Sequence, residues 1–165
     1  MKRFTLSLIL IIVMLLLAAC GFQPRGQALN LSSIAGPIYI SGVAQFSPLH
    51  RELGQQLKKS GASLTSNSNN AKSLLTLRNQ SSDERLLSVD SRNRGVEYEL
   101  EESVQFSLRS NNQGEIASPQ TVRVVRILFR PQDQILASER EENQLRIDMQ
   151  HDLARRIVKR LAAQQ

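Results

Sequence analysis

The longest periodic feature of the sequence runs from Val96 to Arg109. Apolar side chains occupy the even positions of this segment, and polar or charged side chains occupy the odd positions. Alternation with a period of two is typical of a β-strand that buries one face and leaves the other in water. The sequence therefore predicts an antiparallel sheet with one apolar face that other elements must cover.

Glu102 is the one charged residue at an even position of this pattern. It could mark a β-bulge, a contact with a partner molecule, or an effect of the edge or end of the sheet. Of these three interpretations, we expect the last.

Three further parts of the sequence have the composition of strands. The segment "PIYISGV" (37–43) alternates and is rich in strand-forming residues. The segments "SLLTLRN" (73–79) and "RLLSVD" (85–90) precede the turn "SRNRG" (91–95), which leads into the alternating strand. After that strand, the turn "NNQG" leads into "PQTVRVVRILFR" (119–130). Together these segments predict a short first strand and a later three-stranded meander.

The phase of the apolar residues changes within the last of these segments. Val122 and Val124 share one phase, whereas Ile127 and Phe129 share the other. This change predicts a β-bulge near Val125.

Two groups of basic residues leave alternatives open. In the last strand segment, they either protect a solvated edge from aggregation or face a ligand or partner (Arg123, Arg126, Arg130). The run "ARRIVKR" (154–160) is either the solvated end of a helix, where cations suit the helix dipole, or a phosphate site.

The segment "SPLHRELGQQLKKSG" (47–61) has the signals of a helix at both ends. Ser47 is suited to the N-cap, Pro48 to the first turn, and Gly61 to the position after the last turn. Leucines four residues apart form one apolar stripe (Leu49, Leu53, Leu57). We expect His50, beside this stripe, to be a surface histidine rather than a catalytic one.

A second and longer amphipathic helix is predicted near the end of the sequence. Ser138 and Glu141 have the spacing of a capping box, which would place the start of the helix at Ser138. The apolar residues that follow recur every four positions over about 24 residues, or about 36 Å (Leu145, Met149, Leu153, Ile157, Leu161).

The predicted order of elements is β-α-β-β-β-α. Two amphipathic helices and a sheet with one wet face are most simply combined with both helices on the apolar face. We therefore predict an α+β two-layer sandwich, with two helices packed on one face of a four-stranded sheet. Residues 37–165 would form this single domain.

The first residues have the pattern of a bacterial lipoprotein signal. Lys2 and Arg3 precede an apolar run that is short for a stable membrane helix, so residues 1–19 are predicted to be a signal peptide. The sequence Leu17-Ala18-Ala19-Cys20 resembles the lipobox, in which the cysteine receives an S-diacylglycerol and an N-acyl chain. Because Cys20 is the only cysteine, no intramolecular disulfide can form. Gly21, in place of an inner-membrane retention aspartate, indicates the outer membrane, with residues 20–36 as a lipidated tether.

Several classes of function find no support in the sequence. The chain has two histidines and one cysteine, too few for a metal-ligand cluster, and it has no nucleophile or nucleotide motif. We therefore expect neither an enzyme, nor a metal site, nor a cofactor beyond the lipid on Cys20. The net charge of +6 is spread along a chain that contains no Trp, which does not favour nucleic-acid binding.

Three short motifs of the mature sequence are the start "CGFQPR" (20–25), "PL" followed by "RELGQQL" (48–57), and "EYEL" (97–100) after a basic turn. In these motifs the mature sequence resembles the LptE family of lipopolysaccharide-assembly lipoproteins. This resemblance implies two helices on a four-stranded sheet, which agrees with the interpretation above. It also implies a lipid-anchored protein on the periplasmic side of the outer membrane, inside the LptD β-barrel.

In this family, the lipoprotein helps the barrel to assemble and helps to insert lipopolysaccharide into the outer leaflet. Some members bind lipopolysaccharide through basic residues near the turn before the "EY" strand and near the start of the last helix. The residues here that match these regions are Arg92, Arg94 and Arg140. Arginine suits this role because it forms charge-assisted bonds with phosphates.

Other classes of function stay open at this point. A stand-alone periplasmic lipoprotein that binds a lipid would need a concave apolar pocket. A lipoprotein that stabilises the envelope would need a signature for cell-wall polymers. The sequence has apolar faces for one two-layer core and shows neither feature.

Overall fold

The computed structural model describes Leu31 and residues 36–112, 114–131 and 135–164. The predicted signal peptide, Cys20 and most of the predicted tether lie outside the described residues. Among the described residues, no helix combines the length and the apolar composition needed to cross a bilayer. The elements are β1 (Ile38–Ser41), α1 (Pro48–Lys59), β2 (Ser73–Val89), β3 (Gly95–Ser110), β4 (Gly114–Phe129) and α2 (Ile135–Ala162). This order confirms the predicted β-α-β-β-β-α arrangement.

The four strands form one mixed sheet in the order β1-β2-β3-β4. β1 is parallel to β2, and β2, β3 and β4 form an antiparallel meander. The segments predicted as "SLLTLRN" and "RLLSVD" are parts of the single long strand β2. Its register with β3 shifts between Arg78 and Ser81, where Asn79 has a φ of 51°. This β-bulge lets one strand carry both segments, because an extra residue bends the strand without ending it.

Both helices cover the same face of the sheet, which confirms the predicted two-layer sandwich. The three leucines of the α1 stripe and four residues of the α2 repeat are buried there (Leu49, Leu53, Leu57, Met149, Leu153, Ile157, Leu161). They pack in one cluster with the apolar positions of β3 (Leu100, Val104, Phe106, Leu108). Each fully buried side chain of this size contributes about 1.5–3 kcal/mol, so the predicted alternation accounts for much of the core.

The ends of α1 lie where the sequence predicts them. The Ser47 hydroxyl accepts a hydrogen bond from the His50 N–H at 3.2 Å, and Pro48 is the first helical residue. Gly61 follows the C-cap residue Ser60 with a φ of 83°, a left-handed conformation that glycine adopts without a steric cost.

The predicted start of α2 is wrong. The helix begins at Ile135, three residues before Ser138, so Ser138 is not the N-cap and Ser138 and Glu141 do not form a capping box. The helix has 28 residues instead of about 24. Leu136 and Ala137 are strong helix formers and extend the helix toward its N-terminus. Ser138 is consequently a buried helical residue.

The predicted β-bulge near Val125 is also wrong. β4 keeps a continuous register with β3 from Gln120 to Phe129. The register shifts instead between Gln120 and Ala117, beside Pro119, which cannot donate to the sheet. The change of phase has another cause: Ile127 and Phe129 point to the uncovered face, where they are 63% and 55% exposed.

Candidate functional site

The turn between β2 and β3 presents two of the predicted site residues, Arg92 and Arg94. The Asp90 carboxylate organises this turn by accepting the backbone N–H groups of Arg92 at 2.8 Å and Arg94 at 3.0 Å. These bonds, led by that from the Arg94 N–H, hold the pKa of Asp90 below its ordinary value. The Asp90 carboxylate therefore holds the backbone of this turn in place.

The two arginines of the turn differ in what their side chains contact. The Arg94 guanidinium forms an ion pair with Asp90 at 2.7 Å. The exposed side chain of Arg92 forms no ion pair with any residue that the structure describes. Of the two, Arg92 is thus the cation that is available to a ligand.

Arg140, the third predicted site residue, lies in an early turn of α2 and is exposed. It forms no ion pair within residues 36–112, 114–131 and 135–164. The Arg130 N–H, at the end of β4, donates to the Val96 carbonyl at 2.8 Å, so the start of α2 and the β2–β3 turn lie at the same end of the sheet. Among the described residues, no hydrogen bond or ion pair joins Arg140 to the turn.

Glu102 lies in the interior of the protein, and the expectation of an edge or end effect is wrong. It belongs to the central strand β3, is 1% exposed, and keeps regular register with β4. Its carboxylate accepts hydrogen bonds from the Ser82 hydroxyl at 2.6 Å and from Arg146 at 3.1 Å. The second oxygen, Oε2, accepts none from the described residues. The residue is thus neither at a bulge nor at an edge, but in a buried ion pair between sheet and helix.

This pair belongs to a larger polar cluster between the sheet and α2. Arg146 also contacts Glu142 at 2.9 Å, and Arg130 contacts both Glu142 and, at 2.9 Å, Glu84. Burial alone would raise the pKa of Glu142, but the hydrogen bonds from Arg146 and Arg130 outweigh it and keep that pKa below its ordinary value. Hydrogen bonding to Glu84 raises the pKa of Arg130. The cluster links β2, β3 and β4 to the first half of α2.

Sequence reasoning missed this cluster, although one signal pointed to it. Glu102 broke the apolar phase, but its partner Arg146 lies 44 residues away and has no mark that distinguishes it from other helical arginines. The guanidinium of Arg130 lies 4.5 Å from the centre of the Tyr98 ring, which is a second contact that the sequence does not show.

The three arginines of the last strand segment, two in β4 and Arg130 just after it, form contacts within the chain. Arg123 pairs with Glu101 at 2.9 Å, Arg126 pairs with Asp152, and Arg130 belongs to the polar cluster. Their positions support a structural role more than the alternative role of binding a ligand.

The run "ARRIVKR" is likewise engaged with the protein itself. Arg156 and Arg160 donate to the backbone carbonyls of Arg123 at 2.9 Å and Thr121 at 2.8 Å. Arg155 pairs with Asp152 at 2.6 Å. The arrangement favours the structural alternative over a phosphate site.

Metal and acid–base chemistry find no support in the part of the chain that the structure describes. It contains no group of three His, Cys, Asp or Glu side chains that could hold a metal ion. Burial lowers the pKa of His50, and His151 pairs with Glu52 at 2.8 Å. In the contacts described above, neither imidazole side chain pairs with a hydroxyl or a thiol.

Several solved bacterial lipoproteins share this fold. Rare lipoprotein B from Shewanella oneidensis has a TM-score of 0.66 and 23% identity, covering 78% of this chain and 95% of that one. An uncharacterized lipoprotein B from Nitrosomonas europaea has a TM-score of 0.68 and 27% identity, covering 87% and 91%. A minor lipoprotein from Acinetobacter baumannii has a TM-score of 0.64 and 21% identity, covering 77% and 90%. The fold is therefore one that lipoproteins of this class adopt.

Comparison with a family model identifies the family of the chain. The model described as LptE, lipopolysaccharide-assembly, matches residues 35–161, which include all four strands, α1 and all but the last residue of α2. The chain belongs to the LptE family of lipopolysaccharide-assembly lipoproteins, a family that is not enzymatic. A search of curated proteins finds no match.

Proposed function

We propose that this chain is the lipoprotein component of an outer-membrane lipopolysaccharide translocon. In this role it plugs the LptD β-barrel, assists the assembly of that barrel and helps to insert lipopolysaccharide into the outer leaflet. The observation that carries the proposal is the family match across residues 35–161.

The proposed location is the periplasmic side of the outer membrane, with the folded domain inside the partner barrel. Acyl chains on Cys20 would provide the anchor, since two or more chains hold a protein stably at a bilayer whereas one does not. The lipobox around Cys20 and the relation to solved lipoproteins support this location.

Packing supports a plug over the alternative of a stand-alone lipid-binding lipoprotein. The apolar faces of both helices and of the sheet are buried against one another in a single cluster. A lipid carrier would need an apolar pocket that encloses its ligand. In the described residues the core is filled by its own side chains, and the hollow between β1 and α1 is lined in part by polar and basic residues (His50, Lys58, Thr65).

Recovery of a partner barrel tests the proposal. A tagged full-length chain is expressed in its native membranes, which are dissolved in mild detergent, and the tagged protein is isolated under conditions that keep complexes intact. We expect a β-barrel of much greater mass in equimolar amount, and loss of surface lipopolysaccharide when the chain is depleted. Recovery of the chain alone, with normal surface lipopolysaccharide on depletion, would show that the alternative is correct.

Direct binding of lipopolysaccharide is proposed to involve Arg92, Arg94 and Arg140. The support is their position at one end of the sheet and, among the described residues, the lack of an ion pair at Arg92 and Arg140. Because Arg94 is already paired with Asp90, Arg92→Glu should weaken binding more than Arg94→Glu. Arg155→Glu is a matched charge change elsewhere on the surface and should have little effect. Equal losses in all three variants, at one salt concentration, would indicate general attraction by charge instead of a site.

A further inference from the structure

A groove with a free strand edge lies between β1 and α1. It holds a cavity of about 350 Å³ whose walls include Ile38, Ile40, His50, Lys58, Leu64 and Thr65. A second hollow shares His50, Lys58 and Leu64 with it and continues along α1 past Gly54 and Arg51. We call these two hollows together the β1–α1 groove.

The chain itself already adds a short strand at one end of this groove. The Ile38 N–H donates to the Ser63 carbonyl at 2.8 Å, and the Thr65 N–H donates to the Ile38 carbonyl at 3.0 Å. These bonds form a parallel bridge between Ile38 and Leu64 on the edge of β1 that faces away from β2. The outer edge of β1 is therefore suited to pairing with an extended backbone.

This pairing stops before the groove ends. Backbone groups of alternate residues point to the same edge of a strand, so the N–H and C=O of Ile40 point as those of Ile38 do. After Thr65 the chain turns away into the short 3-10 helix Ser68–Asn70. No backbone hydrogen bond from a described residue reaches this edge of Ile40. Among the described residues, the backbone N–H and C=O of Ile40 on this edge therefore have no backbone partner.

The opposite wall is a single stripe of α1, formed by His50, Gly54 and Lys58. Glycine within a helix is unfavourable relative to other residues. Packing does not require it here, because an added Cβ would lie 3.5 Å from the nearest atom, Leu64 Cδ1, an ordinary contact. The missing side chain keeps the middle of the groove open.

The charge of the groove has one sign. Arg51 and Lys58 are exposed and form no ion pair with a described residue, and none of the described residues that line the two hollows is Asp or Glu. Phe46, 89% exposed, lies at the mouth. Negative charge and an apolar side chain on a ligand would therefore both favour its binding in the groove.

We propose that the β1–α1 groove binds an extended acidic peptide segment of a partner protein, which adds to β1 as a strand. Its backbone pairs with Ile40, its carboxylates face Lys58 and Arg51, and an apolar side chain packs above Gly54. Strand addition of this kind takes affinity from main-chain bonds and specificity from the pockets beside them. The proposal goes beyond the function in lipopolysaccharide assembly and does not depend on it.

The test uses capped peptides of alternating glutamate and valine, with a lysine–valine peptide as the charge-reversed probe. Each is titrated into the isotope-labelled mature chain, and amide signals are followed by NMR. We expect millimolar or tighter binding of the glutamate peptide alone, with shifts at Ile40 and Gly54 and slower exchange of the Ile40 N–H. Shifts confined to another surface, or no binding, would overturn the proposal.

Two variants and one control locate the site. Lys58→Glu should reduce the affinity tenfold or more, whereas Lys59→Glu, the same charge change on a residue outside the groove, should not change it. Gly54→Gln should abolish binding while the melting temperature stays the same or rises, since Gln favours a helix more than Gly does. Equal losses for Lys58→Glu and Lys59→Glu would contradict the proposal. Tighter binding of dodecyl phosphate than of the peptide, lost in Lys58→Glu, would also contradict it by indicating a lipid site.

Discussion

Glu102 shows how far a single residue can be interpreted from sequence. Its position against the alternation was visible, and so was its place on the apolar face. What the sequence could not show was the partner on a different element that stabilises it, Arg146 at 3.1 Å. A buried carboxylate of this kind depends on its partner, because an unpaired charge in the interior is very costly.

Removal of Arg146 should therefore destabilise the protein strongly. We expect Arg146→Met to lower the free energy of unfolding by about 3–5 kcal/mol, since it leaves Glu102 buried without its cation. The double variant with Glu102→Leu should recover most of this loss, because no unpaired charge then remains. Urea unfolding followed by circular dichroism measures both, with Arg155→Met, at an exposed ion pair, as the control. A loss at Arg146 no larger than that of the control would show that the buried pair contributes little.

The Glu142 carboxylate should make stability depend on pH in the acid range. Its pKa in the folded protein is held below its ordinary value of 4.5. The ion pair therefore contributes stability that is present above the unfolded pKa and is lost as the pH falls through the folded pKa. We expect the melting temperature of the wild type to fall more steeply below pH 4.5 than that of Glu142→Gln. Parallel curves for the two proteins would be evidence against this role.

At the scale of elements, features that depend on neighbouring residues were predictable from the sequence, and features that depend on other parts of the chain were not. The caps of α1 were predicted correctly because Ser47, Pro48 and Gly61 act on neighbouring backbone. The start of α2 was not, because a capping-box pattern at Ser138 says nothing of the helix-forming residues before it. The prediction of a β-bulge in β4 was wrong for a related reason. Apolar residues on the uncovered face of the sheet produce the same sequence pattern as a change of phase.

The free edge of β4 is covered by arginines of α2 and of β4 itself. Arg160, Arg156 and Arg126 donate to the carbonyls of Thr121, Arg123 and Val125, which are alternate residues of the strand. These carbonyls are the acceptors that an incoming strand would use. The sequence suggested basic residues as a protection for this edge, but two of the three donors come from the helix.

Loss of the helix donors should allow this edge to pair with a second copy of the chain. We expect Arg156→Ala/Arg160→Ala to form dimers or larger species at concentrations at which the wild type is monomeric, as measured by light scattering after size-exclusion chromatography. Arg155→Ala removes a neighbouring charge that does not contact β4 and should stay monomeric. Adding Thr121→Pro, which removes an outward N–H on the edge strand, should reverse the effect. If the double variant stays monomeric, the arginines do not protect the edge.

At the scale of the whole molecule, the architecture was predictable because alternation and helical periodicity both specify which faces are buried. The α+β sandwich, its element order and the family all followed from such patterns and short motifs. The groove beside β1 was not predictable, since it depends on the missing side chain of Gly54 and on the parallel bridge at Leu64.

The anchor at Cys20 is a prediction about the whole molecule. Replacement of Cys20 by Ser should prevent acylation and shift the protein from the outer-membrane fraction to the soluble periplasmic fraction. Mass spectrometry of the wild type should find the acyl chains on the first residue of the mature protein. Wild-type protein that begins at another residue, or membrane retention of an unacylated variant, would exclude the lipid anchor.

The covered edge of β4 also limits how many strands from other molecules can add to the sheet of this protein. A sheet can grow continuously from molecule to molecule only if both edge strands of every molecule are free to pair. Guanidinium groups occupy three carbonyls on the free edge of β4, so a chain that accepts a strand beside β1, as proposed above, should not accept a second strand beside β4. At high concentration such molecules should therefore form pairs with partners and not fibres.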